Sequence, residues 1–397
     1  MLPDTGAGPA GPPVVHVNPM GGLANRMMQA MVAMTLASHV PGCVVSNVDL
    51  PEWGLRFPPV PAGEGPRHVV VDERFDLARE VERLRSGAVG RLEIQVYGQR
   101  LDYFLPVEFW RQAFPASATP GEDVAPGFGA GQLVCSIRGG EVLDGRHPGY
   151  VLLPVEFYAE LASRTGLSPV FLGQLDANAY VDALRARFPE ALFVESRGPM
   201  ADFAALRRSR NIVPSVSTFA WLAAWLSDAE QVFLPVDGML HPVMGPHASL
   251  LPLDDPRYRF FLFPANYAVP VGEFGPVHQA LLGQWRLAEP AMLREMFRAV
   301  PRLPRRFDRI APLFDEAFYL AAHPDVRAAV EAGGYDSGHE HYVAHGFDER
   351  RAAVPVDAAW YARTYPMAAQ EIGEGWYADP EHHFVEIGAA RGYRARA

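Results

Sequence analysis

From residue 133 to residue 235 the chain alternates short apolar runs with helix-period segments, nine in succession, and nothing else in it constrains the fold as tightly. Strands are expected at 133–138, 169–172, 191–195, 211–214 and 231–235. Helices are expected between them at 154–163, 178–187, 199–208 and 217–226, the first opening on Pro154, whose fixed φ suits a first helical turn. A strand that returns through a helix pairs parallel to its predecessor, so the pattern reads as a doubly wound α/β sheet. Ligands of such sheets sit beyond the carboxyl ends of the strands.

A weaker form of the same alternation opens the chain. Residues 1–12 read as a flexible Pro- and Gly-rich tail, 14–18 as a buried strand and about 25–39 as a helix. Strands follow at 44–46, 68–71 and 92–97, with a helix at 75–84. Residues 115–131, dense in Pro, Gly and Ala, have the composition of a linker. The expected organisation is a tail (1–12), a first Rossmann-like domain (13–130), a second (131–270), a connecting segment (271–311) and a helical C-terminal repeat region (312–397). The repeat is read directly. Adding 42 to Phe318, Tyr319, Pro324, His341, Tyr342 and Gly346 gives Trp360, Tyr361, Pro366, His383, Phe384 and Gly388. Each unit reads as short helices around an aromatic pair, and two units are too few for a solenoid.

Composition removes several classes of function. A net charge of −11 argues against non-specific nucleic-acid binding. All 35 basic residues are arginine. There is no P-loop lysine and no Schiff-base lysine, and any phosphate must be held by arginine, hydroxyls and backbone N–H groups. Cys43 and Cys135 lie in apolar runs and read as small buried residues, which favours a reducing compartment. The first twenty residues have neither a positive start nor an apolar run, and no apolar stretch of about 18 residues occurs, so no integral membrane segment is expected. No metal is expected either. Asp254-Asp255 reads as a turn, and no His/Cys cluster has ligand spacing. His323, His339, His341, His345, His382 and His383 crowd the C-terminal region, but repeated positions such as His341 and His383 point to repeated packing.

Three short motifs could carry chemistry. Gly21-Gly22-Leu23-Ala24-Asn25-Arg26-Met27-Met28-Gln29 follows a strand and opens a helix, where glycines admit a ligand close to the backbone and unpaired N–H groups face outward. Read blandly, it is a tight strand–helix turn. Cys135-Ser136-Ile137-Arg138-Gly139-Gly140-Glu141 puts an arginine at the carboxyl end of a buried strand, the natural fork for a pyrophosphate or one half of an interdomain salt bridge. Met200-Ala201-Asp202-Phe203 leads to Ser215-Val216-Ser217-Thr218-Phe219-Ala220-Trp221, in which Ser217 is a good N-cap and the hydroxyls sit at a helix start. Asp202 could equally cap its own helix.

Together these motifs resemble the fucosyltransferase superfamily of bacterial α-1,2-fucosyltransferases, nodulation fucosyltransferases and protein O-fucosyltransferases. The first is similar to that family's GG-L-G-N-Q/R opening, with Ala24 in place of a glycine. The second resembles its H-x-R-R-G-D signature. The third resembles A-D-x-x-x-L … S-S/T-F-x-W, including the tail through Leu226. The resemblance spans residues 13–240. It implies a GT-B-like fold of two Rossmann-like domains facing a cleft, the first on the acceptor side and the second binding a GDP-sugar donor, most directly GDP-fucose. It further implies that Arg138 binds the pyrophosphate, Asp202 pairs with the guanine edge, Ser217 and Thr218 cap the β-phosphate, and Phe219 lines the nucleotide pocket. Gly21, Gly22, Asn25 and Arg26 would face donor and acceptor. The chain departs from the signature at Ser136, Gly139 and Glu141, which stand where the family has histidine, a second arginine and an aspartate.

The expected activity is inverting transfer of a sugar to a glycan hydroxyl in surface polysaccharide synthesis, without a metal cofactor, in the cytoplasm or peripherally at the inner membrane. Arg138, Glu141 and Asn25 are the expected catalytic residues. Glu141 is the leading general base, ahead of Asp144 and His16. The C-terminal repeats resemble tails of some bacterial polysaccharide glycosyltransferases, with the growing glycan or a polysaccharide-assembly protein as the expected partner; Tyr319, Trp360, Tyr361 and Trp376 prompt that view. Two alternatives stay open: another GDP- or nucleotide-linked donor, and a catalytically weak glycan-binding or scaffold protein.

Overall fold

A computed structural model describes residues 11–61, 65–116, 128–145, 149–245, 247–265, 268–299, 313–346, 349, 351–373, 377, 379–389 and 391–396. The tail at 1–10, most of the expected linker (117–127) and Trp376 lie outside the described residues. The chain divides into two compact units, one ending at Pro301 and the other beginning at Arg302.

The first unit holds two parallel sheets. In chain order its opening half runs β1 (Val14–Val17), α1 (Leu23–Ser38), β2 (Val44–Ser46), an antiparallel pair β3 (Val48–Leu50) and β4 (Leu55–Phe57), β5 (Arg67–Val70), α2 (Leu77–Arg85), β6 (Arg91–Ile94) and α3 (Val107–Ala113). The sheet order is β2-β1-β6-β5, all parallel, with His16 opposite Ser46 on one side and Glu93 on the other. Helix α1 is wholly buried from Met27 to Ala33 and fills the core beside β1.

The second half runs β7 (Gln132–Arg138), α4 (Val155–Thr165), β8 (Ser168–Gln174), α5 (Ala179–Arg187), β9 (Leu192–Glu195), α6 (Pro199–Arg207), β10 (Asn211–Val213), α7 (Thr218–Leu226), β11 (Gln231–Val236), β12 (Tyr258–Leu262), α8 (Phe274–Leu281), β13 (Arg286–Ala288) and α9 (Pro290–Ala299). Every element expected between 133 and 235 is present, with ends shifted by up to about three residues. The order is β13-β12-β11-β10-β7-β8-β9, parallel except for the β12–β13 pair. The central β7 is apolar and buried from Leu133 to Ile137, as a strand covered on both faces must be.

Within the expected connecting segment, the described residues 271–299 add to the second sheet: β13 supplies an edge strand, and α8 packs Phe274 and His278 against Tyr180. The two sheets, one on each side of residues 117–127, lie in one compact unit. Loop pairing joins them, since Leu101 N–H donates to Ser249 O and Ser249 N–H to Gln99 O, both at 2.9 Å.

Strand order locates the site. In both sheets the connections reverse direction at the first strand, β1 or β7, and ligands collect at such switch points. The Gly21-Gly22 turn follows β1, and Arg138 ends β7.

In the second unit the repeat is structural. Asp315 and Asp357 cap equivalent helices, accepting from Phe318 and Trp360 N–H at 2.9 Å. The buried hydroxyls of Tyr319 and Tyr361 meet Nδ1 of His341 and His383 at 3.0 and 2.9 Å. Gly346 and Gly388 stand over those hydroxyls, where a Cβ would lie 2.0 and 2.1 Å from the tyrosine oxygen. The matched residues are thus one packing motif used twice. Between the copies, the Glu381 carboxylate accepts from Ala353 and Val354 N–H, and burial pushes its pKa up to about 7. An unfolded glutamate titrates near about 4.3, so the folded unit holds this proton more tightly than the unfolded chain. Its contribution to stability is complete below about pH 4.3 and is lost as pH rises through about 7. Amide-exchange protection across 353–381, corrected for intrinsic exchange, is expected to fall between about pH 4 and about pH 7, and to fall much less in Glu381→Gln.

Candidate functional site

The turn after β1 is pinned from within the core. Gln29, fully buried on α1, accepts from Met20 N–H and donates to Val96 O, each at 3.0 Å. Gly21 has φ +70°, and a Cβ there would stand 2.5 Å from Asn25 Nδ2. Gly22 caps α1 without a side chain, so the first-turn N–H groups are open to a ligand. Asn25 lies on that turn, and its buried Oδ1 has no hydrogen-bond partner among the described residues. A buried acceptor left unmatched costs about 1–3 kcal/mol, which a donating ligand would recover.

Arg138 emerges at the end of β7 with its guanidinium 4.5 Å from the centre of the Tyr150 ring. The chain then turns through Gly139 and Gly140, whose N–H donates to Gln174 Oε1 at 2.6 Å, and enters a short 3-10 turn at Glu141–Asp144. The side chains of Glu141 and Asp144 lie outside the described residues. A Cβ at Gly139 would lie 2.9 Å from the backbone oxygen of Gln174, so β8 leaves no room for an arginine. Ser136 starts a line of hydroxyls, 3.4 Å from Ser215 Oγ, which is 3.1 Å from Ser217 Oγ.

Ser217 is the N-cap of α7, as its sequence context predicts, accepting from Ala220 N–H at 3.2 Å. Asp202 sits in the first turn of α6 but is not its N-cap, which is Gly198. Its carboxylate holds the preceding turn, accepting from Ser196 Oγ at 2.5 Å and Arg197 N–H at 3.1 Å. Each oxygen keeps a further lone pair for a second donor. Phe219 packs edge-on against Phe203, with ring centres 5.4 Å apart.

These pieces surround one cavity of about 440 Å³, ordinary for a small-molecule site. Of the residues singled out from sequence, Gly22, Asn25, Arg138, Asp202, Ser217, Thr218 and Phe219 line it. Gly21 and Arg26 do not. His16 is not brought there either: its Nδ1 meets Ser46 Oγ at 3.0 Å, and burial, then Arg91, lowers its pKa. Sequence reading missed Tyr150, Gln174 and Ser196. Gln174 and Ser196 stand at or just beyond the ends of β8 and β9, so the strand-end rule could have found them; Tyr150, in a loop, carries no pattern. The cavity joins one arginine, hydroxyls and the N-terminus of a nine-residue helix to an aromatic wall, a combination that suits an anion attached to a planar ring.

No protein-family profile and no curated protein sequence matches the chain. Among solved structures it is similar to Arabidopsis thaliana FUT1, a mutant in complex with GDP, at 12% identity over 56% of this chain and 70% of that one, TM-score 0.34. It is similar to the E. coli ADP-heptose LPS heptosyltransferase II at 13% identity over 72% and 98%, TM-score 0.34. A glycosyl transferase family 9 protein from Veillonella parvula gives 10% identity over 72% and 97%, TM-score 0.36. All three TM-scores are below 0.5, and the functional reading rests on the site itself. Among the described residues no helix is long and apolar enough to cross a membrane, and no group of three or more His, Cys, Asp or Glu is placed to hold a metal ion.

The close approach at Gly139 gives a direct test. Gly139→Ala is expected to cost about 1–3 kcal/mol of stability, because the new methyl meets backbone and not a movable side chain. Denaturant unfolding of the two proteins side by side measures it.

Proposed function

We propose that the chain is a glycosyltransferase acting on a GDP-activated sugar, GDP-fucose first, with a glycan hydroxyl as acceptor. The observation that carries this reading is the shared cavity: the turn after β1 supplies one wall, while Arg138, the α7 N-terminus, Asp202 and Phe219 supply the other. A diphosphate fits against Arg138, Thr218 and the open N–H groups of α7. A base fits against Phe219, with its N–H edge toward Asp202. The carboxamide of Asn25 would then accept from a hydroxyl of the donor sugar or the acceptor.

In this reading the acceptor oxygen attacks the anomeric carbon in line with the departing diphosphate, and configuration inverts. The new glycosidic bond forms as the bond to the β-phosphate oxygen breaks, and the acceptor proton passes to a base. Glu141, three residues after Arg138, is the proposed base, and Arg138 with the α7 N-terminus stabilises the charge gathering on GDP. Arginine and backbone donors do this without a metal. The same reading places the protein at the cytoplasmic face of the membrane, with the C-terminal unit engaging the growing glycan or an assembly protein. A second reading, a glycan-binding protein with weak or no turnover, is favoured by one feature: among the described cavity residues Arg138 is the only arginine.

Calorimetric titration with GDP, UDP and GDP-fucose separates these readings. GDP is expected to bind, UDP at least ~10-fold more weakly, and Arg138→Ala is expected to weaken GDP ~10- to 100-fold, the worth of a hydrogen bond to a charged group. Turnover of GDP-fucose would identify the donor, and turnover of another GDP-sugar would redirect it. A folded protein that binds no GDP overturns the transferase reading and leaves the binding protein.

A further inference from the structure

We infer that Gln174 contacts the donor directly, its carboxamide N–H donating to the diphosphate where the resembled signature has a second arginine. This rests on the nucleotide-sugar reading of the cavity. Gln174 ends β8, the strand paired with β7, and its register partner is Arg138 itself. The two residues therefore stand side by side at the carboxyl edge of the sheet, and both line the cavity.

The orientation of the carboxamide follows from its one hydrogen bond. Gly140 N–H can only donate, so the atom it meets at 2.6 Å is the oxygen of Gln174. The NH₂ group is thereby fixed on the other branch of the amide. Among the described residues that nitrogen has no hydrogen-bond partner. A donor held at the rim of a cavity beside an arginine is a ready partner for a phosphate oxygen.

Sterics explain why the donor comes from β8. A side chain at Gly139 would run into the Gln174 backbone oxygen at 2.9 Å, and one at Gly140 into the Gln174 side chain at 2.8 Å. Position 139 therefore leaves no room for an arginine, and a side chain at position 140 would have to displace the Gln174 carboxamide that occupies the space next to Arg138. The second phosphate contact becomes a neutral amide. The site gives up one positive charge and keeps a hydrogen-bond donor in that place.

The test uses the full-length protein with GDP and guanosine as probes, in wild type, Gln174→Met and Gln174→Arg, with thermal unfolding recorded for each. Gln174→Met removes both the donor and the Gly140 anchor; Gln174→Arg restores donors, with charge, but not the anchor. The expected result is a GDP Kd raised ~10-fold in Gln174→Met and returned to the wild-type value or below in Gln174→Arg, with guanosine binding unchanged throughout. If Gln174→Arg does not fold, Gln174→Lys carries the same charge on a slimmer stem. Wild-type GDP affinity in Gln174→Met overturns the inference. Equal weakening in the Met and Arg variants also overturns it, because Gln174 would then only anchor the loop, and so does parallel loss of guanosine, which would place it against the base. If GDP binds wild type and is lost in Arg138→Ala but ignores Gln174, this inference alone falls. If wild type binds no nucleoside diphosphate, the parent reading falls with it.

Discussion

Helix α7 is apolar on every side and buried from Thr218 to Leu226 except for partial exposure of Phe219, so both of its polar ends must be satisfied inside the protein. At the amino end Ser217 does this, and the remaining positive end faces the cavity. At the carboxyl end three arginines converge. Arg257 donates to the Trp225 and Ser227 carbonyls, Arg207 to Leu226, and Arg111 to Ser227 at 2.6 Å. Cations there match the negative end of the helix dipole. Burial pulls the Arg207 guanidinium down to about 10, so it is still charged at neutral pH. Arg207 also donates to the Phe114 carbonyl, and Arg111 belongs to α3, so the helix that presents the anion site is fastened to the first sheet's half of the unit. The wall bearing Asn25 and the wall bearing Thr218 are thus held in one piece by the groups that cap α7.

How much of this could be read from the sequence depends on the range of the interaction. Ser217 was legible because a cap acts on its own helix, three residues away. The sixteen residues from Asp202 to Thr218 were legible as a helix, a strand and a helix start because periodicity is local. The arginine cluster was not. Arg111, Arg207 and Arg257 are scattered over 147 residues, and nothing local marks any of them as a cap. Asp202 shows an intermediate case. Its place near the start of a helix was plain, but its hold on Ser196 and Arg197 depends on how the β9–α6 turn folds back. In the segment after residue 236, β12 and β13 are short and interrupted by Pro-rich turns, so their pattern did not rise above the loops, although the sheet continues through them.

The repeat was legible for a different reason. Its matched residues are those that touch one another, and a contact that must be rebuilt forces the same residues to recur. The Tyr–His pair and the glycine above the tyrosine hydroxyl form such a set. Where the copies diverge, the contacts diverge too. Only the second copy has Glu371, which meets His383 Nε2 at 2.7 Å and takes a bidentate pair from Arg391; the position 42 residues earlier is Ala329. Exact recurrence therefore marks the packing core of each copy, and divergence marks its rim.

Electrostatics ties α7 to the proposed chemistry. A leaving diphosphate gains charge as its bond to the sugar breaks, and donors stabilise it best when they are already aimed and need not reorganise. The face of Arg138 lies on the Tyr150 ring, and in the proposed reading a phosphate would meet the N–H groups at the guanidinium's edge, so that stacking itself would not compete with binding. The α7 amides are already aimed because the Ser217 cap and the three arginines fix the helix at both ends. With glycine enforced at position 139, the proposed reading assigns the remaining stabilisation to these fixed dipoles and not to a second cation. Neutral donors are easier to desolvate than a guanidinium and are less weakened by salt, so the exchange of charge for dipoles would suit the proposed burial of a diphosphate between the two walls.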